Sequence, residues 1–482
     1  MVRPTSSASP PRRSRSKLAV GVGVALATLL LWAPAPHAQD DEESASLLQD
    51  TLIDEIVRQD TDPIFIAAGI NPKAVSVHII GSNDLNAYVS GGQQLFLYAG
   101  LIMKAETPNQ LIGVIAHETG HMAGGHLVRA DEGEKNALKT FLITMGLGIA
   151  AAVAGAPDAG AGLMYSAGYF ATLDYLGYSR VQEADADQAA ATYLERSGQS
   201  GKGLVDFFDN FRYEEVFSHA RRYPFFQDHP LTSDRIDALR VRVEKNPHYG
   251  VVDSPAAIER HRLLVAKLKA FINPPQQTFI DYKEDDTSYP ARYARAIAYS
   301  KATETDRSVK MIDDLIADFP NNPYLYDLYD LKGDVLFEAG KIKESEEPYR
   351  KSVELKPDAP LLEISLGQTL VAEEDPKQLD EAITRLNRSL DFQNDNPLTW
   401  QVLARAYDAK GEGGMARLAT AEQDFSLGQL KDARVFALRA RELLPKDTPQ
   451  WRRATDIVLV SQPTKDDLQS LARQGSLVPA GN

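Results

Sequence analysis

The stretch from Leu111 to His121, LIGVIAHETGH, limits this chain more than any other. Leu111, Val114 and Ile115 follow helical spacing and predict a core helix. Inside it, His117, Glu118 and His121 form an H-E-x-x-H pattern. Residues four apart on a helix are only about 40° apart around the axis, so both imidazoles share a face. Two neutral imidazoles one turn apart can bind one zinc ion, Zn2+. Glu118 projects to the side of that pair, where it can take a proton from metal-activated water. The alternative is a solvated helix that happens to carry two histidines. The apolar neighbours argue against it, because a buried His-Glu-His cluster is costly without a metal or polar partners.

A catalytic zinc site needs a third protein ligand. Residues 178–195 read as a second helix on which Glu183 and Asp187 share a face and Asp185 points roughly opposite. Glu183 is assigned as the third ligand, and Asp187 as the carboxylate that orients a ligating histidine. An acidic solvated helix face is the competing reading, and it loses weight beside the upstream motif. His126 resembles a third histidine ligand, but on a continuing helix it lies about 180° from His117. It is therefore expected to be structural or exposed.

These residues carry a family resemblance. His117 to His121, followed by Ser179, Arg180, Glu183, Ala186 and Asp187, resembles the HtpX/BepA-type gluzincin metallopeptidases. The lead-in from Asn86 to Leu101 and the late Asp228-His229-Pro230 with Arg235 resemble segments of that family. Repeats after the protease part bring the order of parts close to its β-barrel assembly-enhancing branch. The resemblance implies quality control of outer-membrane proteins, with unfolded or misassembled outer-membrane proteins as substrates. It also implies contact with the outer-membrane assembly machinery through the repeats. His229 is expected to approach the metal, either as an extra ligand or as a donor to the oxyanion. Arg235 either orients carboxylates at the site or pairs on a surface.

Across 482 residues more than one domain is expected. Residues 1–38 read as a signal peptide: Arg12, Arg13, Arg15 and Lys17, then an apolar run from Leu18 to Trp32, then small residues to Ala38. An uncleaved anchor is the other reading, and the shortness of the apolar run disfavours it. Export to the periplasm follows. Removing that segment, with five basic and no acidic side chains, takes the net charge from −15 to −20. Such an acidic chain argues against non-specific nucleic-acid binding. The absence of cysteine excludes disulfides, a cysteine nucleophile, thiolate zinc ligands and a lipidated N-terminal cysteine.

The expected fold is an α+β zincin-like metalloprotease domain, mainly helical with a small sheet, followed by an all-α TPR solenoid. The metallopeptidase domain is placed at 39–273, a linker at 274–289, TPR repeats at 290–459 and a tail at 460–482. Leu47, Leu48, Leu52, Ile53 and Ile56 form one stripe of an N-terminal helix. Strands are expected at 75–80, 85–89 and 94–98, with Gly91-Gly92 as the turn between the last two. The apolar runs within 138–172 predict two soluble helices over the cleft, or else a membrane-apposed hairpin giving peripheral membrane contact. A closing helix is expected at 255–272, capped by Ser254. The repeats are read at 34-residue spacing, the fourth with an enlarged segment at 408–427, and Gln474 to Asn482 as disordered. The expected function is zinc-dependent endoproteolysis. The alternative is a chaperone or scaffold whose protease site is normally closed.

Overall fold

The computed structural model describes residues 47–473, apart from 92, 127–129, 154–155, 218–224 and 226–228. The expected signal segment 1–38 and the tail Gln474 to Asn482 lie outside the described residues.

The architecture is α+β, followed by a helical region. Helix α1 (Thr51–Ala67) begins where Asp50 accepts a hydrogen bond from the Ile53 amide at 2.9 Å. Its stripe Leu52, Ile53, Ile56, Val57, Ile64 and Phe65 is buried. Leu47 and Leu48 do not join that helix. They form a two-residue strand, β1, because the cap at Asp50 starts the helix after them. Strands β2 (Ser76–Ile80), β3 (Ala87–Ser90) and β4 (Gln94–Tyr98) complete a sheet of order β1-β2-β4-β3. β2 runs parallel to β4, with Ser76 opposite Gln94, and β3 runs antiparallel to β4, with Ala87 opposite Leu97. β3 is thus an edge strand, and its buried Ala87 and Val89 alternate with half-buried Tyr88 and Ser90.

After the short α2 (Ala99–Lys104) comes α3 (Pro108–Gly124), which packs on α1 and β3. α4 (Ala130–Val153) and α5 (Pro157–Arg196) form an antiparallel hairpin, and α4 packs chiefly on α5. The second apolar run is therefore not a separate helix. It is the first half of the 40-residue α5, whose second half carries Glu183. α6 (Lys202–Phe217) contributes Phe207, Phe208 and Phe211 to the core, where Phe225 joins them. α7 (Ser233–Val243) and α8 (Pro255–Ile272) close this part, and Ser254 caps α8 by accepting from the Ala257 amide at 3.2 Å.

Residues 274–289 are not an open linker, since Pro275–Asp281 is helical. Beyond it, helices pair as Tyr289–Lys301 with Thr305–Asp318, Leu325–Glu338 with Ile342–Leu355, and Pro360–Ala372 with Leu379–Phe392. Pro397–Ala409 then packs on Gly413–Ser426, Gly413–Ser426 on Leu430–Leu443, and Leu430–Leu443 on Pro449–Val460. Residues 408–427 thus hold a separate helix, set off from Pro397–Ala409 by the Gly411 turn (φ 76°), and not one enlarged first helix or loop. A last helix, Lys465–Arg473, occupies part of the expected tail.

Candidate active site

Thr107 starts α3, accepting from the Gln110 amide at 3.2 Å, and Pro108 occupies a first-turn position that needs no donor. The helix is buried from Pro108 to His121. His117 and Glu118 are fully buried and His121 nearly so. Their Nε2 atoms lie 3.1 Å apart, and the His117 ring meets Phe208 edge-on at 5.8 Å between centroids.

α5 crosses α3 closely enough to bring Glu183 to the same point. A Cβ on Gly120 would sit 2.8 Å from the Ala186 carbonyl oxygen, so the second variable position of the motif has room only for hydrogen. Glu183 Oε2 is 3.4 Å from His117 Nε2, and Oε1 is 3.3 Å from His121 Nε2. Asp187, one turn further on, places Oδ1 3.0 Å from His117 Nδ1. We predict that Gly120→Ala pushes α5 outward and weakens metal affinity by about tenfold or more while the chain stays folded. Calorimetric zinc titration checks this, and unchanged affinity would remove the close approach as a determinant of the site.

The segment before α7 closes the site. His229 is buried, with Nδ1 3.1 Å from Glu183 Oε1 and 3.4 Å from His117 Nε2. Its Nε2 is 3.4 Å from Glu118 Oε1. Arg235, in the first turn of α7, is buried and not on a surface. It donates from Nε and Nη2 to the two Asp187 oxygens at 2.8 and 2.9 Å, and from Nη1 to the Pro230 carbonyl at 2.7 Å. Nη1 also lies 2.9 Å from Glu183 Oε2. One guanidinium therefore fixes both Glu183 and Asp187.

His117, His121, Glu183 and His229 each offer one donor atom, all within 4.8 Å of one another. Tetrahedral zinc with ligand bonds of about 2.0–2.1 Å has ligand–ligand edges of about 3.3 Å. Contacts of 3.1–3.4 Å link His117 to His121 and each of these imidazoles to a Glu183 oxygen, close to that edge, so His117, His121 and Glu183 fit a metal ion. Charge is unevenly spread. Burial depresses His117, but Asp187 and Glu183 outweigh it and push the ring up to about 10. Burial pushes His121 down to about 3. Burial raises Glu183, yet hydrogen bonds from His117, His121 and His229 hold it far below the usual carboxylate range. The two carboxylates thus draw positive charge onto His117, at the point where a metal cation would sit.

His126 is buried and not exposed, and it does not lie on a continuing helix. α3 does not continue to it, because Gly125 adopts a left-handed conformation (φ 62°) and ends the helix. The chain folds back, His126 is buried, and its Nδ1 lies 3.0 Å from His121 Nδ1. It thus meets the face of His121 that points away from the donor cluster, as Asp187 meets His117. The Gly124-Gly125 pair was the sequence signal for this reversal.

Residues 50–243 match peptidase family M48. That segment of the chain is thus similar to the M48 peptidases. A beta-barrel assembly-enhancing protease of Escherichia coli K12 is 23% identical over 398 residues, covering 81% of this chain and 79% of that protein. The metalloprotease LoiP of the same organism is 29% identical over 174 residues, 36% of this chain and 65% of LoiP. A Vibrio cholerae relative is 23% identical over 272 residues, so that match spans about half of each chain, 52%. The M48 match contains every residue of the donor cluster, together with Glu118, Asp187 and Arg235.

Proposed function

We propose that this chain is a periplasmic zinc metalloendopeptidase that acts on unfolded or misassembled outer-membrane proteins, with TPR repeats that bind protein partners. The observation that carries the reading is the convergence of His117, His121 and Glu183 from two helices, with Glu118 beside them. Nitrogen and carboxylate donors gathered in one buried cluster suit zinc. The ion, when bound, supplies Lewis acidity that brings the pKa of water toward about 7 and polarises a carbonyl. Asp187 accepts from His117 Nδ1 and fixes the tautomer that leaves Nε2 as a donor to the metal. Glu118 takes the proton of the attacking water and returns it to the leaving amine. The edge strand β3 can pair with an extended substrate as an added strand, with α3 directly behind it. The substrate class is supported by the name of the β-barrel assembly-enhancing relatives, and periplasmic placement by the signal-like segment at residues 1–38.

The test is metal removal. Chelation should abolish casein cleavage, and one equivalent of zinc should restore it. Cleavage that survives with no metal detectable by mass spectrometry would overturn the proposal.

A second reading, a scaffold with a closed protease site, is favoured by the position of His229. A catalytic zinc site leaves one corner for water, and His229 Nδ1 stands among the donors at the fourth. If His229 closes the site, His229→Ala should raise casein cleavage several-fold. If it serves as oxyanion donor, the same change should lower kcat by about 10²-fold.

A further inference from the structure

We propose that the distal part of the α4–α5 hairpin inserts into one leaflet of a lipid bilayer. From residue 140 to residue 173 the sequence carries one charge, Asp158. Leu142, Ile143, Leu147 and Ile149 are each more than half exposed, and Tyr165 is 94% exposed. Thr144 and Gly148 of α4 and Ala167 of α5 are the buried positions, as expected of the seam between the two helices.

The distribution of the exposed apolar residues selects the occupant. At 100° per residue, Leu138, Phe141, Leu142, Ile143, Leu147 and Ile149 spread over roughly 240° of the helix circumference. A helix that docks on protein shows an apolar stripe on the order of 100° wide. A second copy of the chain or a single folded partner would cover one such stripe and leave the rest in water. A fluid apolar medium contacts every side at once. Length agrees: Phe141 to Val153 rises about 18 Å, against roughly 15 Å for half of a bilayer's hydrocarbon core. Phe141 and the adjacent Tyr169 and Phe170 lie at similar distances from the connection between the helices. Aromatic rings at that height suit the interface between hydrocarbon and headgroups. The first charge met below them on α4 is the exposed Lys139. No helix among the described residues is long and apolar enough to cross a membrane, so the insertion proposed is into one leaflet. The same α5 continues from Leu173 to Glu183, about 15 Å further along, which would hold the donor cluster close to the lipid surface.

The test uses the chain from residue 39 onward, which removes the N-terminal apolar run as a competing lipid anchor. It is floated with vesicles of phosphatidylethanolamine and phosphatidylglycerol at 3:1. Flotation should persist at 0.5 M salt, since apolar insertion is little screened. Ile149→Trp should shift its emission to the blue on vesicles and be quenched by lipids brominated in the acyl chain. Leu142→Asp with Leu147→Asp, both at exposed positions, should lower the partition coefficient at least about tenfold. Asp158→Asn should raise it, and Glu118→Gln should partition like the parent, which separates this outcome from that of catalysis. Partitioning of the double variant equal to the parent, or Ile149→Trp emission untouched by brominated lipid, would overturn the proposal. So would dimers by sedimentation velocity, or capture of reduced, denatured lactalbumin, without vesicle binding.

Discussion

Glu118→Gln should lower kcat for casein at least about a thousandfold while zinc content and thermal stability stay at the parent values. Glu118 is fully buried and adjoins His117 on α3; its Oε1 lies 3.4 Å from His229 Nε2, and it is not one of the four residues of the donor cluster. The amide keeps the shape and loses only the basic oxygen, so metal affinity is a readout that a purely structural role would move. Turnover equal to the parent would eliminate Glu118 as the base. The same variant separates protease from scaffold in a cell that depends on the chain. Rescue of growth by the inactive protein points to the scaffold, and failure to rescue points to peptide hydrolysis.

Lys267→Met should destabilise the chain by about 3–5 kcal/mol, read as a fall in the midpoint of urea unfolding. Lys267 is buried on α8, with Nζ 2.6 Å from Asp50 and 2.6 Å from Asp327. Burial alone would depress the amine, but the two carboxylates outweigh it and keep the cation well above its usual range. Tyr293 adds a hydrogen bond to Asp327 at 2.5 Å. Asp50 also caps α1, and Asp327 lies on the repeat helix Leu325–Glu338. One ammonium thus ties the N-terminal cap, the closing helix of the peptidase part and the repeats together. Methionine fills the volume and leaves two carboxylates facing each other, so the loss is electrostatic. Adding Asp327→Asn should recover part of the stability, since it removes one of the stranded charges. No recovery in the double variant would mean that the effect is packing.

Some of this was legible along the chain. The H-E-x-x-H spacing places two imidazoles on one helical face whatever surrounds them, and Glu183 and Asp187 share a face by the same period. The start of α8 was readable from Ser254-Pro255, because caps are local chemistry. The sheet was found to within two residues per strand, whereas Leu47 and Leu48 were assigned to the wrong element. Their apolar stripe fits a helix as well as a two-residue strand, and only pairing with Ile79 and Ile80 decides. The continuity of α5 from Pro157 to Arg196 was missed because its apolar and acidic halves look like separate helices by composition.

By itself the sequence determined the residue types of the site, their spacing within each helix and the acidic, cysteine-free character of the chain. Those are properties of neighbours, set by the pitch of a helix and the chemistry of side chains. Tertiary structure alone decided that His126 turns back onto His121, that Arg235 grips Asp187 and Glu183, and that His229 comes within reach of Glu183 and His117. Each of these joins residues on different elements, and such distances depend on how whole helices pack, which no local periodicity encodes.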